Sequence, residues 1–141
     1  MSIQMNGISD YAAETILNAV LRNSGTPVVT QLYLAFSTGV IAKTDITVPN
    51  EVSGAGYARV AANFAVNLEG MSLQTGTIQI PATLAITANW GIIVSMCLVD
   101  SATSSGGEHI WFFTEVAAKN VNKGDPALTF IAGTLKVYMG P

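Results

Sequence analysis

Acid–base, nucleophilic or metal chemistry would have to be built from very few residues in this chain, which holds one histidine, His109, and one cysteine, Cys97. A zinc site draws on about four Cys, His or carboxylate ligands, so these two do not approach a metal centre. A Ser-based triad would have to share His109, and no glycine-flanked nucleophile elbow is present. The carboxylates Asp10, Glu14, Asp45, Glu51, Glu69, Asp100, Glu108, Glu115 and Asp125 fall mostly in turn-like segments, where aspartate in particular is a turn former. Gly54-Ala55-Gly56 lacks the third glycine, the preceding buried strand, the following helix and the lysine of a phosphate-binding loop. No catalytic residue, metal or cofactor is expected, and the chain does not read as an enzyme.

What remains is a set of candidates for recognition. Glu51-Val52-Ser53-Gly54-Ala55-Gly56-Tyr57-Ala58-Arg59 is a glycine-hinged entry into a strand. Its two glycines permit a tight turn, Tyr57 anchors the end, and Arg59 can pair with Glu51 at the surface or face a neighbouring subunit. Trp90 and Trp111, with Tyr57 and Tyr33, read as core or interface anchors, with a carbohydrate-stacking platform as the competing reading. The expected interface residues are therefore Glu51, Gly54, Gly56, Tyr57, Arg59, Trp90 and Trp111.

Composition points to assembly. Half of the 141 residues are hydrophobic, only 11% are charged and the mean hydropathy is +0.44, which leaves apolar surface for other subunits to cover. The longest apolar runs are interrupted well short of the roughly 18 residues of a membrane span. Met1 to Asp10 lacks the basic and apolar regions of a signal peptide. Net charge is −3, and the six basic residues are scattered, so direct nucleic-acid binding is not expected. Cys97 lies in an apolar run and reads as a buried, inert thiol.

The elements that must position these residues follow from periodicity. Met1 to Ile8 reads as an unpatterned tail within a segment 1–9. Ser9-Asp10 then offers an N-cap, and Ala13, Ile16, Leu17, Val20 and Leu21 recur at helical spacing, predicting an amphipathic helix over Asp10 to Arg22 that covers one face of a sheet. From Val28 the period becomes two, with Leu32, Leu34 and Phe36 opposed to Tyr33 and Ala35. Ser37 to Gly56 is a long connection, and a short edge strand near Ile46 to Val48 is the plain reading of its apolar residues. Tyr57 to Val66 alternates again, with Tyr57, Arg59, Ala61 and Asn63 on one face. Thr75 to Ile80 predicts a strand stopped by Pro81. Asn89-Trp90-Gly91 is a turn with an aromatic anchor, and Ile92 to Val99 is the expected central strand. His109 to Val116 completes a hairpin, and Ala127 to Ile131 and Thr134 to Met139 close the domain. The fold class is mainly β, a single-domain β-sandwich or jelly-roll-like unit over 28–139 with one N-terminal amphipathic α-helix.

An ordered set of motifs resembles the small structural proteins of tailed-bacteriophage virions, commonly described as tail fibre or minor structural proteins. The set comprises the helix from Ile8-Ser9-Asp10-Tyr11-Ala12 to Leu21-Arg22-Asn23, the strand Leu32 to Thr38 and the central Glu51 to Arg59. It continues through Ile80-Pro81-Ala82-Thr83, Asn89-Trp90-Gly91, Asp100-Ser101-Ala102, Asn122-Lys123-Gly124-Asp125 and Ala132-Gly133-Thr134-Leu135. The resemblance implies a virion protein assembled in the host cytoplasm, with other virion proteins and its own copies as partners. A lone domain without a repetitive shaft, apolar and charge-poor, leads to the expectation of a capsid decoration or cement protein bound to the major capsid protein as a homo-oligomer. A tail fibre or baseplate component, with receptor contact through Trp90 or Trp111, is the alternative. The Ser37 to Gly56 loop is expected to be aimed at a neighbouring subunit.

Overall fold

The computed structural model describes residues 3–5, 7–25, 29–65, 70–104 and 107–139, with only the backbone described at 82–84. Among these, ten strands and one helix follow in the order β1 (Ile3–Met5), β2 (Gly7–Ile8), α1 (Asp10–Leu21), β3 (Leu32–Ser37), β4 (Val60–Ala62), β5 (Met71–Leu73), β6 (Ile78–Ala85), β7 (Gly91–Val99), β8 (Ile110–Val121), β9 (Pro126–Phe130) and β10 (Leu135–Tyr138). The mainly β, sandwich-like expectation with one leading helix holds.

One layer is a five-stranded sheet in the order β2-β8-β7-β3-β4. β7 occupies its centre, as its apolar run implies, although Ile92 at its start is exposed. β7 and β8 pair antiparallel as the expected hairpin, in which Leu98 lies opposite Phe112 and Cys97 opposite Phe113. β3 is buried on both faces. Leu34 and Phe36 enter the main core with Met96, Leu98 and Ile80, while Ala35 packs with Cys97, Val99, Ile110 and Ile41 in a second cluster on the other side.

The opposing layer is split between a three-stranded sheet, β1-β10-β5, and a two-stranded ribbon, β6-β9. β5 leads into β6, and β9 into β10, as one bent antiparallel ribbon, because Gln74 bridges the corner. Its Nε2 donates to the Phe130 carbonyl at 2.8 Å, and its Oε1 accepts from the Leu135 amide at 3.1 Å. Pro81 does not end its strand as expected; β6 continues past it, with a register shift between Ile80 and Ala85. A strand in a two-stranded ribbon keeps one edge free, where a missing donor is tolerated.

Four further sequence expectations differ from the structure. Residues 3–5 and 7–8, expected as part of an unpatterned tail, form β1 along β10 and β2 along β8. The Tyr57-to-Val66 strand contracts to Val60–Ala62, with Val66 outside the described residues. Tyr57 and Arg59 lie ahead of that strand, so strict alternation does not govern where they point. No strand forms at Ile46 to Val48, although the Ile46 carbonyl accepts from the Ile110 amide at 3.1 Å.

The fourth difference concerns α1. Ser9 caps it, accepting from the Ala12 amide at 3.1 Å, and Arg22 is the C-cap residue. Only Ala12 is buried, and the stripe expected to cover a sheet ends in Leu17, Val20 and Leu21 at 53%, 73% and 74% exposure. The helix is anchored through its first turn. Ser9 Oγ donates to the Ile110 carbonyl, the Ser9 amide donates to the Trp111 carbonyl at 3.1 Å, and the Asp10 amide to the Lys43 carbonyl at 2.8 Å.

Candidate interaction site

The Glu51-to-Arg59 stretch closes on itself. Glu51 receives Arg59 in a two-pronged ion pair, Nε to Oε2 at 2.8 Å and Nη2 to Oε1 at 2.7 Å, while the Tyr57 hydroxyl donates to Oε2 at 2.8 Å. Tyr57 also accepts from the Phe36 amide at 3.0 Å, tying the stretch to β3. The expected surface pairing of Arg59 is overturned: its side chain is 3% exposed, and a second carboxylate, Glu108, pairs with Nη2 at 1% exposure. Guanidinium geometry favours such forked contacts with carboxylates. Arg59 Nη1 additionally donates to the carbonyls of Ser101 and Thr103 at 3.1 and 3.2 Å. One buried cation therefore gathers three distant parts of the chain, the Glu51 loop, the segment before β4 and the β7–β8 connection.

The electrostatics match this geometry. Burial pulls against the charged form of Arg59, but the hydrogen bonds and charges of Glu51 and Glu108 outweigh it and hold the guanidinium above its ordinary value. Burial pushes the Tyr57 phenol well up, reinforced by the Glu51 charge and opposed by the Phe36 amide. Burial likewise raises the Cys97 thiol, with a further contribution from the charge of Glu51, which keeps it protonated and inert.

The glycines have steric roles. A Cβ on Gly54 would stand 2.3 Å from Trp90 Cδ1, and Gly56 has φ +82°. The pyrrole edge of Trp90 thus packs closely against the turn. It is 5% exposed, its Nε1 donates to the Ala55 carbonyl at 3.1 Å, and its ring centroid is 5.5 Å from that of Tyr57. Glu51, Gly54, Gly56, Tyr57, Arg59 and Trp90 come together as one clasp beneath the loop.

Trp111 lies apart from them, beside the start of α1. It is 6% exposed, and its Nε1 donates to Asp100 Oδ2 at 3.2 Å. Asp100 also accepts from the His109 amide at 2.7 Å and lies 3.2 Å from His109 Nδ1. Tyr11 stacks on His109 with centroids 3.8 Å apart and meets Trp111 edge-on at 5.7 Å. Tyr11, His109 and Asp100 were not among the interface candidates. Asp100 and Trp111 are separated by one hairpin, and Tyr11 arrives from the helix, so only the fold unites them.

Above the clasp, the Ser37-to-Gly56 loop is anchored to its own sheet. Ser37 Oγ donates to the Pro49 carbonyl at 2.5 Å, the Val52 amide donates to the Phe36 carbonyl at 3.1 Å, and Ile41 is buried in the second cluster. Val40 and Ile46 stand outward at 65% and 59% exposure. Among the described residues no group of His, Cys, Asp and Glu side chains could hold a metal, and no helix is long and apolar enough to cross a membrane.

A family model, Gp80, described as podophage GP4 fiber I protein gp80, matches residues 7–138. The chain belongs to this family of phage fibre proteins. The match spans the capped helix, the clasp, both tryptophans and nearly the whole strand set, and it makes the fibre-family chain a component of the bacteriophage virion. No curated protein matches it.

Proposed function

We propose that this protein is a non-enzymatic fibre component of a podophage tail, held in place by contacts with other virion proteins and with its own copies. The observation that carries this reading is the fibre-family match over 7–138. It favours the tail over the capsid-decoration role that composition alone suggests. The geometry suits a scaffold: the charged cluster of Arg59 with Glu51 and Glu108 is buried and internally paired, so it ties chain segments together within the fold.

On this reading the clasp residues act on partners indirectly. They hold the loop bearing Val40 and Ile46, and the β7–β8 connection beside Tyr11 and His109, in fixed positions for contact. Exposed apolar residues at both places suit a chain whose neighbours complete its cover. Fractionation of phage particles tests the proposal. The chain should be found by mass spectrometry in whole virions and in isolated tails, and be missing from tail-less heads; its retention on tail-less heads would restore the decoration role.

A further inference from the structure

α1 turns an apolar face away from the domain. Ala12 is buried and Thr15, Ile16 and Ala19 are half-buried on its inner side, whereas Leu17, Val20 and Leu21 share the opposite side. Val20 and Leu21 are the most exposed large apolar side chains among the described residues. A helix of 12 residues is short enough to be marginal in water, so cover on the stripe along its later turns would stabilise it.

The charges flanking this stripe select its cover. Glu14 and the C-cap residue Arg22 are both exposed, and neither has an ion-pair partner among the described residues. Helical geometry sets both on the Leu21 side of the stripe, away from Val20. A second α1 laid antiparallel, about a twofold axis near Asn18, puts Glu14 of each copy beside Arg22 of the other. The apolar stripes of both then close on each other, and the two helix dipoles oppose. A parallel pair would instead set Glu14 against Glu14 and Arg22 against Arg22.

We infer that the outer face of α1 is a contact between copies, covered by α1 of a second copy of this chain lying antiparallel across it. The inference deepens, and rests on, the reading of the chain as a component held by contacts with its own copies. A lipid surface suits the stripe less well, because Arg22 is the only basic residue of the capped helix and Asp10 and Glu14 are repelled by anionic headgroups.

Sedimentation velocity over a concentration series of the full chain tests this. The expected result is a dimer that dissociates on dilution, since one short helix offers less than the roughly 800 Å² per partner of a stable interface. Leu17→Gln should weaken it roughly tenfold or more. Glu14→Lys and Arg22→Glu, both at exposed positions, should each weaken it roughly tenfold by setting like charges together. An equimolar mixture of these two variants should associate as well as the native chain, because both cross-pairs then join opposite signs. A native chain that stays monomeric at every concentration overturns the inference. So does a dimer indifferent to Leu17→Gln, or a mixture that associates no better than its separate components. Binding of monomers to neutral phosphatidylcholine vesicles, lost in Leu17→Gln, would give the stripe to a lipid surface and overturn it as well. None of these results bears on placement in the tail, which the fractionation of phage particles decides separately.

Discussion

Replacing Arg59 with methionine keeps most of the side-chain volume and removes the charge, which isolates what the buried cation does. In the native chain Arg59 makes two hydrogen bonds to Glu51 at 2.7–2.8 Å, pairs with Glu108, and donates to two loop carbonyls at 3.1 and 3.2 Å. The variant leaves two carboxylates facing each other without a cation, one of them with its side chain 1% exposed. Breaking a buried pair by deleting one partner costs about 3–5 kcal/mol. The lower half of that range is expected, because the Glu51 side chain is 17% exposed and retains the Tyr57 hydroxyl. Urea unfolding followed by tryptophan fluorescence should therefore show a midpoint lowered by about 3 kcal/mol divided by the m-value. Adding Glu108→Gln to the variant should recover part of the loss, since it removes the stranded charge. The reasoning is refuted if Arg59→Met costs less than about 1 kcal/mol, the range of an exposed pair, or if Glu108→Gln makes the variant worse.

Other outcomes follow from the same contacts. Gly54→Ala should displace Trp90 and cost about 1–3 kcal/mol, with a shift in tryptophan emission as the readout; an unchanged spectrum and stability would show that the turn yields freely. Stability should fall as pH rises above the ordinary thiol and phenol values, 9.0 and 10.0, because Cys97 and Tyr57 hold raised values in the folded chain and ionise first in the unfolded one. Their contribution is complete below pH 9 and is lost toward the folded-state values, at up to about 1.4 kcal/mol per pH unit for each group. Thermal melts between pH 8 and 11 should thus steepen downward, and Cys97→Ala should flatten the first part of that fall. Leu17→Glu with Leu21→Lys, on the exposed stripe of α1, should change stability by no more than about 0.5 kcal/mol per site. A large loss in the isolated chain would mean that this stripe is packed after all.

How far the sequence discloses this molecule depends on the range of the interactions involved. The helix was legible because Ser9, Asp10 and the 3.6-residue period all act within a few positions. The central β7 was legible because a continuous apolar run has few other destinations. The exposure of Leu17, Val20 and Leu21 was not legible, since an apolar stripe looks the same whether it faces the chain's own core or a partner. β1 and β2 were missed because Ile3-Gln4-Met5 and Gly7-Ile8 are too short to establish a period, and their strand character comes from Leu135 to Val137 and from Phe112 and Phe113. Glu51 and Arg59 were visible as a local pair. The burial of that pair was hidden, because it depends on Glu108 and the Ser101 and Thr103 carbonyls arriving from the far hairpin. Likewise, Trp111 was singled out as a large aromatic, but nothing local announces that Tyr11 will stack on its neighbour His109.

The central claim is that this chain serves in a tail fibre, and electron microscopy of the intact virion tests it most directly. Density fitting the five-stranded sheet and its capped helix, repeated on appendages of the tail, is the predicted result. Density for the chain on the capsid shell, with none on the tail, would contradict it.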